Sequence, residues 1–286
     1  MTLDPDAGER FYAETDPAYR ARTQIDQGDI MQKKNDGSHL IVPGDYLATL
    51  QNCEGYYLCP TDADGMPLGP VVGYTAPYDG PGGKKMKWVG LAYLNFSKAD
   101  RYPAVLTFFA EALAEKIRSR NLIPDVILGA PWAAVKFSQE VARILGCRHI
   151  NAEKKPFTND AGNFDEEIVP GRYEGEIKQG DIVAIGEELI NNASTTEKLI
   201  KIANDAGGHV NSIFCAINRS SPFKETFWNA PRHDPVPIIG VIERPYPQFH
   251  QDDPIVAKAI AEGNVTWKPK YAWDQLKEAM ERHPGS

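Results

Sequence analysis

The chain has 286 residues, 42% of them hydrophobic and 24% charged, which is an ordinary soluble globular composition with room for one large domain or a core with additions. A formal charge of -8 and a pI near 5.3 exclude a general nucleic-acid surface, which shows as a basic excess, while leaving room for a small basic pocket. No stretch reaches the roughly 18 consecutive apolar residues of a membrane span.

The start, "MTLDPDAGERFYAETD", fits neither a secretory signal nor a transit peptide, so a cytoplasmic setting without membrane or nucleic-acid partners is expected. Cys53, Cys59, Cys147 and Cys215 follow no common zinc spacing and read as reduced thiols. Residues 1–37 are polar with scattered aromatics and read as an arm. Residues 38–100 carry β-type runs with abundant glycine and proline, a small β-rich hood. Within it, "YYLCPTDADGMPLGPVVGYT" predicts two strands around an Asp-Gly turn.

From residue 101 to 245 helices and strands alternate, which predicts a parallel sheet covered by helices on both faces. "PAVLTFFAEALAEKIRSRN" is a helix with proline in its first turn, "DVILGA" a strand, "AAVKFSQEVARILG" a helix closed by Gly146, and "CRHINA" a strand. Residues 155–179 lack periodicity and read as a long loop, a feature more often functional than accidental. "DIVAIG" is the next strand. Ser194 and Glu197 fit a capping box at the start of a helix that Gly207 and Gly208 end, and "HVNSIFCAIN" and "VPIIGVIE" are the remaining strands. Residues 246–286 form a helical extension, with helices near 254–262 and 271–283.

In an open parallel sheet, ligands bind beyond the carboxyl ends of the strands. Three elements fall there. Glu187 and Glu188 end an apolar run and offer two carboxylates to the hydroxyls of a sugar; Asn191, Asn192, Ala193, Ser194 and Thr195 follow at a helix mouth suited to a phosphate. The plain alternative is solvated acids beside an ordinary cap. Ala130, Pro131 and Trp132 form a strand-to-helix turn that exposes amides to an anion, or a mere connection. Lys154 and Lys155 precede the long loop and suit a diphosphate as point charges, or are simply solvated. No P-loop, dinucleotide fingerprint, zincin or nucleophile-elbow motif occurs.

Over 93–219 this order of elements resembles the type I phosphoribosyltransferase family, and within it the orotate enzymes. "IVAIGEELINNASTT" is similar to the family's strand, acid pair and phosphate loop, with Asn191, Asn192 and Ala193 standing where Thr-Thr-Gly is usual. The resemblance places Ala130, Pro131 and Trp132 at the pyrophosphate loop, Lys154 against pyrophosphate, and Arg219 of "INRS" at the carboxylate of the base; Arg172 is a further candidate to reach a closed site. It implies transfer of a 5-phosphoribosyl group from phosphoribosyl diphosphate to a nitrogen of a small heterocyclic base, an orotate-like pyrimidine favoured. Mg²⁺ would come with the substrate, without direct protein ligands, and the chain would pair as a homodimer. Glu187, Glu188, Lys154 and Lys155 would be catalytic. The divergent phosphate loop and the acidic run Asp165, Glu166 and Glu167 support a second reading, a sensor of nucleotide or phosphoribosyl diphosphate without turnover.

Overall fold

The computed structural model describes residues 35–158, 164–171, 177–229 and 234–284, so most of the expected arm, and Arg172 with it, lies outside the described residues. A helix not expected in this glycine- and proline-rich stretch, α1 (Tyr46–Asn52), is capped by Asp45, whose carboxylate accepts from the Ala48 N–H at 2.9 Å. Four strands follow: β1 (Tyr56–Leu58), β2 (Val71–Asp79), β3 (Lys85–Gly90) and β4 (Ala92–Leu94). The hairpin expected around Asp64 and Gly65 is corrected. Its turn forms, with the Asp62 carboxylate accepting from the Asp64 and Met66 N–H groups and Gly65 at φ +78°. Beyond a single bridge at Thr61 and Pro67, however, β1 pairs with β4 and β2 with β3, both antiparallel. Pro60, Pro67 and Pro70 lack the N–H groups that a continuous ladder needs.

The core opens with α2 (Pro103–Ser119), followed by β5 (Val126–Gly129), α3 (Val135–Leu145) and β6 (Arg148–Asn151). Next come β7 (Glu153–Thr158), β8 (Phe164–Val169), β9 (Ile182–Ile190), α4 (Ser194–Asp205), β10 (His209–Asn218), β11 (Thr226–Asn229) and β12 (Asp234–Glu243). The main sheet has the order β11-β12-β10-β9-β5-β6, parallel except for the edge strand β11. As expected, helices cover both faces. Val105, Phe109 and Leu113 of α2 and Phe137 and Val141 of α3 bury Ala184, Phe214 and Ala216 on one side. On the other, Leu199, Ile200 and Ala203 of α4 bury Val183, Ile185 and Ile213. The chain steps from β5 outward to β6, then returns to β9 on the far side of β5. That reversal opens a crevice at the carboxyl ends of β5 and β9, where ligands of such sheets sit.

The long loop expected over 155–179 is also corrected: β7 and β8 form an antiparallel hairpin. Lys155 lies opposite Glu167 in its register, and Lys154 Nζ reaches Glu166 Oε2 at 3.0 Å. A hairpin of polar strands, exposed over most of β7, leaves no alternation of apolar residues to read.

The extension completes the hood. It contains α5 (Pro254–Ala261), the short strand β13 (Val265–Thr266) and α6 (Trp273–Arg282). β13 adds to the hood sheet parallel to β2. Val256 and Ala259 of α5 pack on Val71 and Val89, and Leu276 and Ala279 of α6 on Tyr57, Cys59 and Val72. All four cysteines are free, and no described helix is long and apolar enough to cross a membrane.

Candidate functional site at the β5–β9 crevice

The strand β9 does not stop before the two acids. Its pairing with β10 continues through Glu187 opposite Cys215 to Ile190 opposite Asn218. Successive side chains in a strand point to opposite faces, so the pair expected side by side instead straddles the sheet. Glu187, 8% exposed, faces α4 and accepts from Thr196 Oγ1 at 3.0 Å. Glu188 faces the α2–α3 side and accepts from Ser97 Oγ at 3.0 Å. Close to it, Asp100 is paired with Lys136 at 3.1 Å. Burial pushes the Glu187 carboxyl up to about 7, against the Thr196 hydrogen bond and helped by the Glu188 charge. Burial likewise raises Glu188 to about 7; the Ser97 hydroxyl opposes the shift and the Asp100 charge adds to it. Both acids are therefore partly protonated near neutrality.

The expected capping box does not form. Ala193 is the N-cap of α4, in the left-handed region at φ +65°, and no side chain caps the helix. Ser194 is already helical; its N–H and hydroxyl both meet Asn192 Oδ1, at 3.3 and 3.2 Å. The Asn191 side-chain oxygen accepts from Gln248 at 2.6 Å, and the Asn192 carbonyl from Lys224 Nζ at 3.3 Å. Around this open mouth, Glu187 and residues 189–196, including Asn191, Asn192, Ala193, Ser194 and Thr195, line a cavity of about 80 Å³. Uncapped N–H groups, the positive end of the α4 dipole and the Lys224 ammonium make it suited to an anion. An alanine held at positive φ is strained by roughly 1 kcal/mol. Ala193→Gly is therefore expected to raise stability by about 1 kcal/mol, read as a higher urea midpoint at unchanged slope; an unchanged or lower midpoint would show that the strain is absent.

The turn after β5 stands beside β9. Ala130 donates its N–H to the Gly186 carbonyl at 2.8 Å, Pro131 is buried, and Trp132 is 74% exposed at φ +70°. The turn is held from below by Ser138, whose hydroxyl donates to the Ala134 carbonyl at 2.7 Å and meets His149 Nε2 at 2.9 Å. That contact requires glycine on both neighbouring strands: a Cβ on Gly129 would fall 2.5 Å from Ser138 Oγ, and one on Gly186 2.8 Å from Ser138 Cβ. Trp132 and Ala193 are thus two non-glycine residues at positive φ in the two loops that flank the crevice, the kind of backbone strain that collects at binding sites. Lys154 and Lys155 belong to the neighbouring hairpin, and Lys154 is engaged by Glu166.

Arg219 ends β10 on the hood side. It is 5% exposed, donates its backbone N–H to the Ile190 carbonyl at 2.9 Å, and holds its guanidinium 4.4 Å above the Tyr74 ring and 5.9 Å from that of Tyr246. Its Nε and Nη2 are buried without a hydrogen-bond partner among the described residues. Arg219 is among the residues that line a cavity of about 520 Å³ roofed by the hood and the extension. Tyr93, Asn95 and Lys87 line it from the hood, and Trp267, Lys268 and Lys270 from the extension. Asn95 Nδ2 donates to Tyr93 Oη at 2.8 Å, its Oδ1 accepts from the Ser97 N–H at 3.1 Å, and Ser97 Oγ donates to Glu188, so the cavity adjoins the crevice. Sequence reasoning missed Thr196, Ser97, Asp100 and, apart from Arg219, this whole lining. The one local signal was "TWKPKY", lysines and aromatics held around a proline in a tail otherwise read as helical.

Comparison with known proteins adds family evidence. No family model matches the chain. The orotate phosphoribosyltransferase of Caldicellulosiruptor saccharolyticus is 27% identical over 128 residues, covering 45% of this chain and 61% of that protein. That of Methanocaldococcus jannaschii is 26% identical over 161 residues, covering 56% and 82% respectively. The core is orotate phosphoribosyltransferase-like. The chain spans 61% of the first of these relatives, so its orotate-like part is the shared core rather than the whole molecule. An adenine phosphoribosyltransferase structure from Thermoanaerobacter pseudethanolicus aligns at TM-score 0.40 and 17% identity over 58% of this chain and 94% of that one, too loose a likeness to add to the argument. Glu187 lines the α4 cradle, and Glu188, on the other face of β9, is bonded to Ser97, whose N–H donates to Asn95 in the wall of the Arg219 cavity.

Proposed function

We propose that the chain transfers a 5-phosphoribosyl group from phosphoribosyl diphosphate to a ring nitrogen of a small acidic heterocycle, an orotate-like pyrimidine. The observation that carries this reading is the anion-sized cradle at the open mouth of α4 with a buried carboxylate, Glu187, in its wall. In this reading the 5-phosphate occupies the cradle, Glu187 accepts from a ribose hydroxyl on that side, and Glu188 meets the sugar from the hood side. The base lies in the larger cavity with its carboxylate on the Arg219 guanidinium. As the bond from the anomeric carbon to diphosphate breaks, the electron pair leaves with diphosphate and positive charge develops on the sugar ring. Ionised Glu187 and Glu188 stabilise that charge, and the base nitrogen forms the new bond. The turn at Ala130, Pro131 and Trp132, with Lys154 and Lys155, receives the departing diphosphate.

Among the described residues no group of three His, Cys, Asp or Glu stands where it could hold a metal. Glu188 with nearby Asp100 is a sparse donor set of the kind that suits Mg²⁺ bound chiefly by substrate phosphates and water. The ion would supply charge neutralisation on the diphosphate. Pairing of two copies belongs to the same reading and is measured by sedimentation at assay concentration.

The second reading, a nucleotide or phosphoribosyl diphosphate sensor without turnover, is favoured by the engagement of Lys154 with Glu166, which removes a charge from the leaving group. The test is diphosphate release from Mg²⁺-phosphoribosyl diphosphate. Release is expected only when an acidic heterocycle such as orotate is supplied. No release across a panel of heterocycles, together with tight nucleotide binding, would overturn transfer in favour of the sensor.

A further inference from the structure

We propose that the ligand of the hood cavity is doubly anionic: a flat heterocyclic acid whose first carboxylate meets Arg219 and whose second anionic group reaches Lys268 and Lys270, supplied by the C-terminal extension. The inference rests on the reading above only in placing a base in this cavity; binding of such an acid does not itself require transfer.

Charge is the first argument. The described residues lining the cavity include Arg219, Lys87, Lys268 and Lys270 and no acid, in a chain whose net charge is -8. A local reversal of sign in a concave site focuses the field on an anion. None of the three lysines is paired with a carboxylate among the described residues. Lys270 lies instead 4.7 Å above the ring of Tyr271, itself 74% exposed.

Arrangement is the second. Arg219 borders the cavity from the end of the core strand β10, Tyr93, Asn95 and Lys87 from the hood, and residues 267–271 from the extension. A single carboxylate on Arg219 leaves the lysine side unanswered. The volume, about 520 Å³, lies in the range of pockets that enclose ligands larger than one ring.

Construction is the third. The lysine wall is built into the fold. β13 pairs with β2 immediately before it, Thr266 Oγ1 donates to Gln275 of α6 at 3.0 Å, and Trp267 fits against Gly73 so closely that a Cβ there would fall 2.6 Å from Trp267 Cε3. Lys268 and Lys270 flank Pro269, whose fixed φ limits the freedom of the segment that carries them.

The test is titration calorimetry with orotate, which carries one carboxylate, and pyridine-2,5-dicarboxylate, which carries two at opposite ends of the ring. Each is measured with and without ribose 5-phosphate, on the full chain and on Lys268→Gln/Lys270→Gln and Arg219→Gln. The diacid is expected to bind the unaltered chain at least tenfold more tightly than orotate. The double lysine variant should lose that margin, with the diacid weakened at least tenfold more than orotate, and Arg219→Gln should weaken both acids. Equal affinity of the two acids for the unaltered chain would overturn the proposal, as would equal weakening of both in the lysine variant. If the double variant melts early, Lys268→Arg/Lys270→Arg replaces it: charge kept with the diacid margin kept supports the proposal, and charge kept with the margin lost overturns it. Absence of diphosphate release in the transfer assay would overturn catalysis and leave this preference standing; orotate turnover without a diacid preference would do the reverse.

Discussion

Arg219→Met is expected to stabilise the ligand-free protein while abolishing its stabilisation by an acidic base. The guanidinium is 5% exposed with two nitrogens unpartnered among the described residues, and its compensation is the Tyr74 ring at 4.4 Å and the Tyr246 ring at 5.9 Å. A cation over an aromatic ring contributes about 0.5–2 kcal/mol. Each unmet buried donor costs about 1–3 kcal/mol, and withdrawing the charge from water adds several more. The cost outweighs the gain, so an unbranched apolar side chain that keeps the Tyr74 contact should raise the Tm by a few degrees. With ligand present the sign reverses. A carboxylate on the guanidinium offsets the buried charge with charge-assisted hydrogen bonds, and losing one member of a buried charge pair costs about 2–5 kcal/mol, a 30-fold or greater loss of affinity. Thermal shift with and without orotate reads both arms. A lower Tm for the ligand-free variant would mean that Arg219 is a structural cation, and an undiminished orotate shift would remove it from base recognition.

The sheet and its helices were legible because buried parallel strands and amphipathic helices write their environment into local pattern. "DIVAIG", "DVILGA" and "HVNSIFCAIN" are near-continuous apolar runs since both faces of β9, β5 and β10 are covered. Where the sequence misled, a local pattern had more than one physical meaning. Ser194 and Glu197 satisfy the capping-box spacing, yet the box also requires an extended backbone at Ser194, and the chain enters α4 one residue earlier through Ala193 at φ +65°. Nothing in an alanine announces positive φ. The hairpin β7–β8 was invisible because cross-strand charge pairing, Lys154 to Glu166, leaves no apolar alternation. The hood cavity was out of reach for a different reason. Gly73, Arg219 and Trp267 come together only through β2–β13 pairing and the end of β10, contacts between segments far apart in the chain. The acids themselves were found, and their arrangement was not: adjacency in sequence reads as a pair, whereas adjacency within a strand separates them.

That separation makes pH the sharpest probe of the two carboxyls. Glu187 and Glu188 are each raised to about 7 from an ordinary value of 4.5. A group whose folded pKa lies above its unfolded one binds extra protons in the native state between the two values, so its contribution favours folding on the acid side and declines as pH rises through that window. Stability of the ligand-free protein is therefore expected to fall between about pH 4.5 and 7 and to level off above, with an upper limit on the order of 3 kcal/mol for each carboxyl. At lower pH other groups act with the opposite sign: Glu140, held below its usual range by its hydrogen bond to Arg143, loses its contribution as it protonates. The double variant Glu187→Gln/Glu188→Gln keeps the shape and removes the titration. Its Tm should lose the fall from pH 5 to 8, leaving the opposite contribution of His149, lowered by burial, which favours the folded state as pH rises, and should exceed that of the unaltered chain at pH 8. A sugar that uses ionised acids must displace their protons, so ribose 5-phosphate should bind the unaltered chain more tightly as pH rises through 7, releasing protons in buffers of differing ionisation heat. In the double variant both the affinity and the proton release should be lost. Tight, pH-independent binding of ribose 5-phosphate by that variant would detach the straddling acids from the sugar and leave the cradle as an anion site alone.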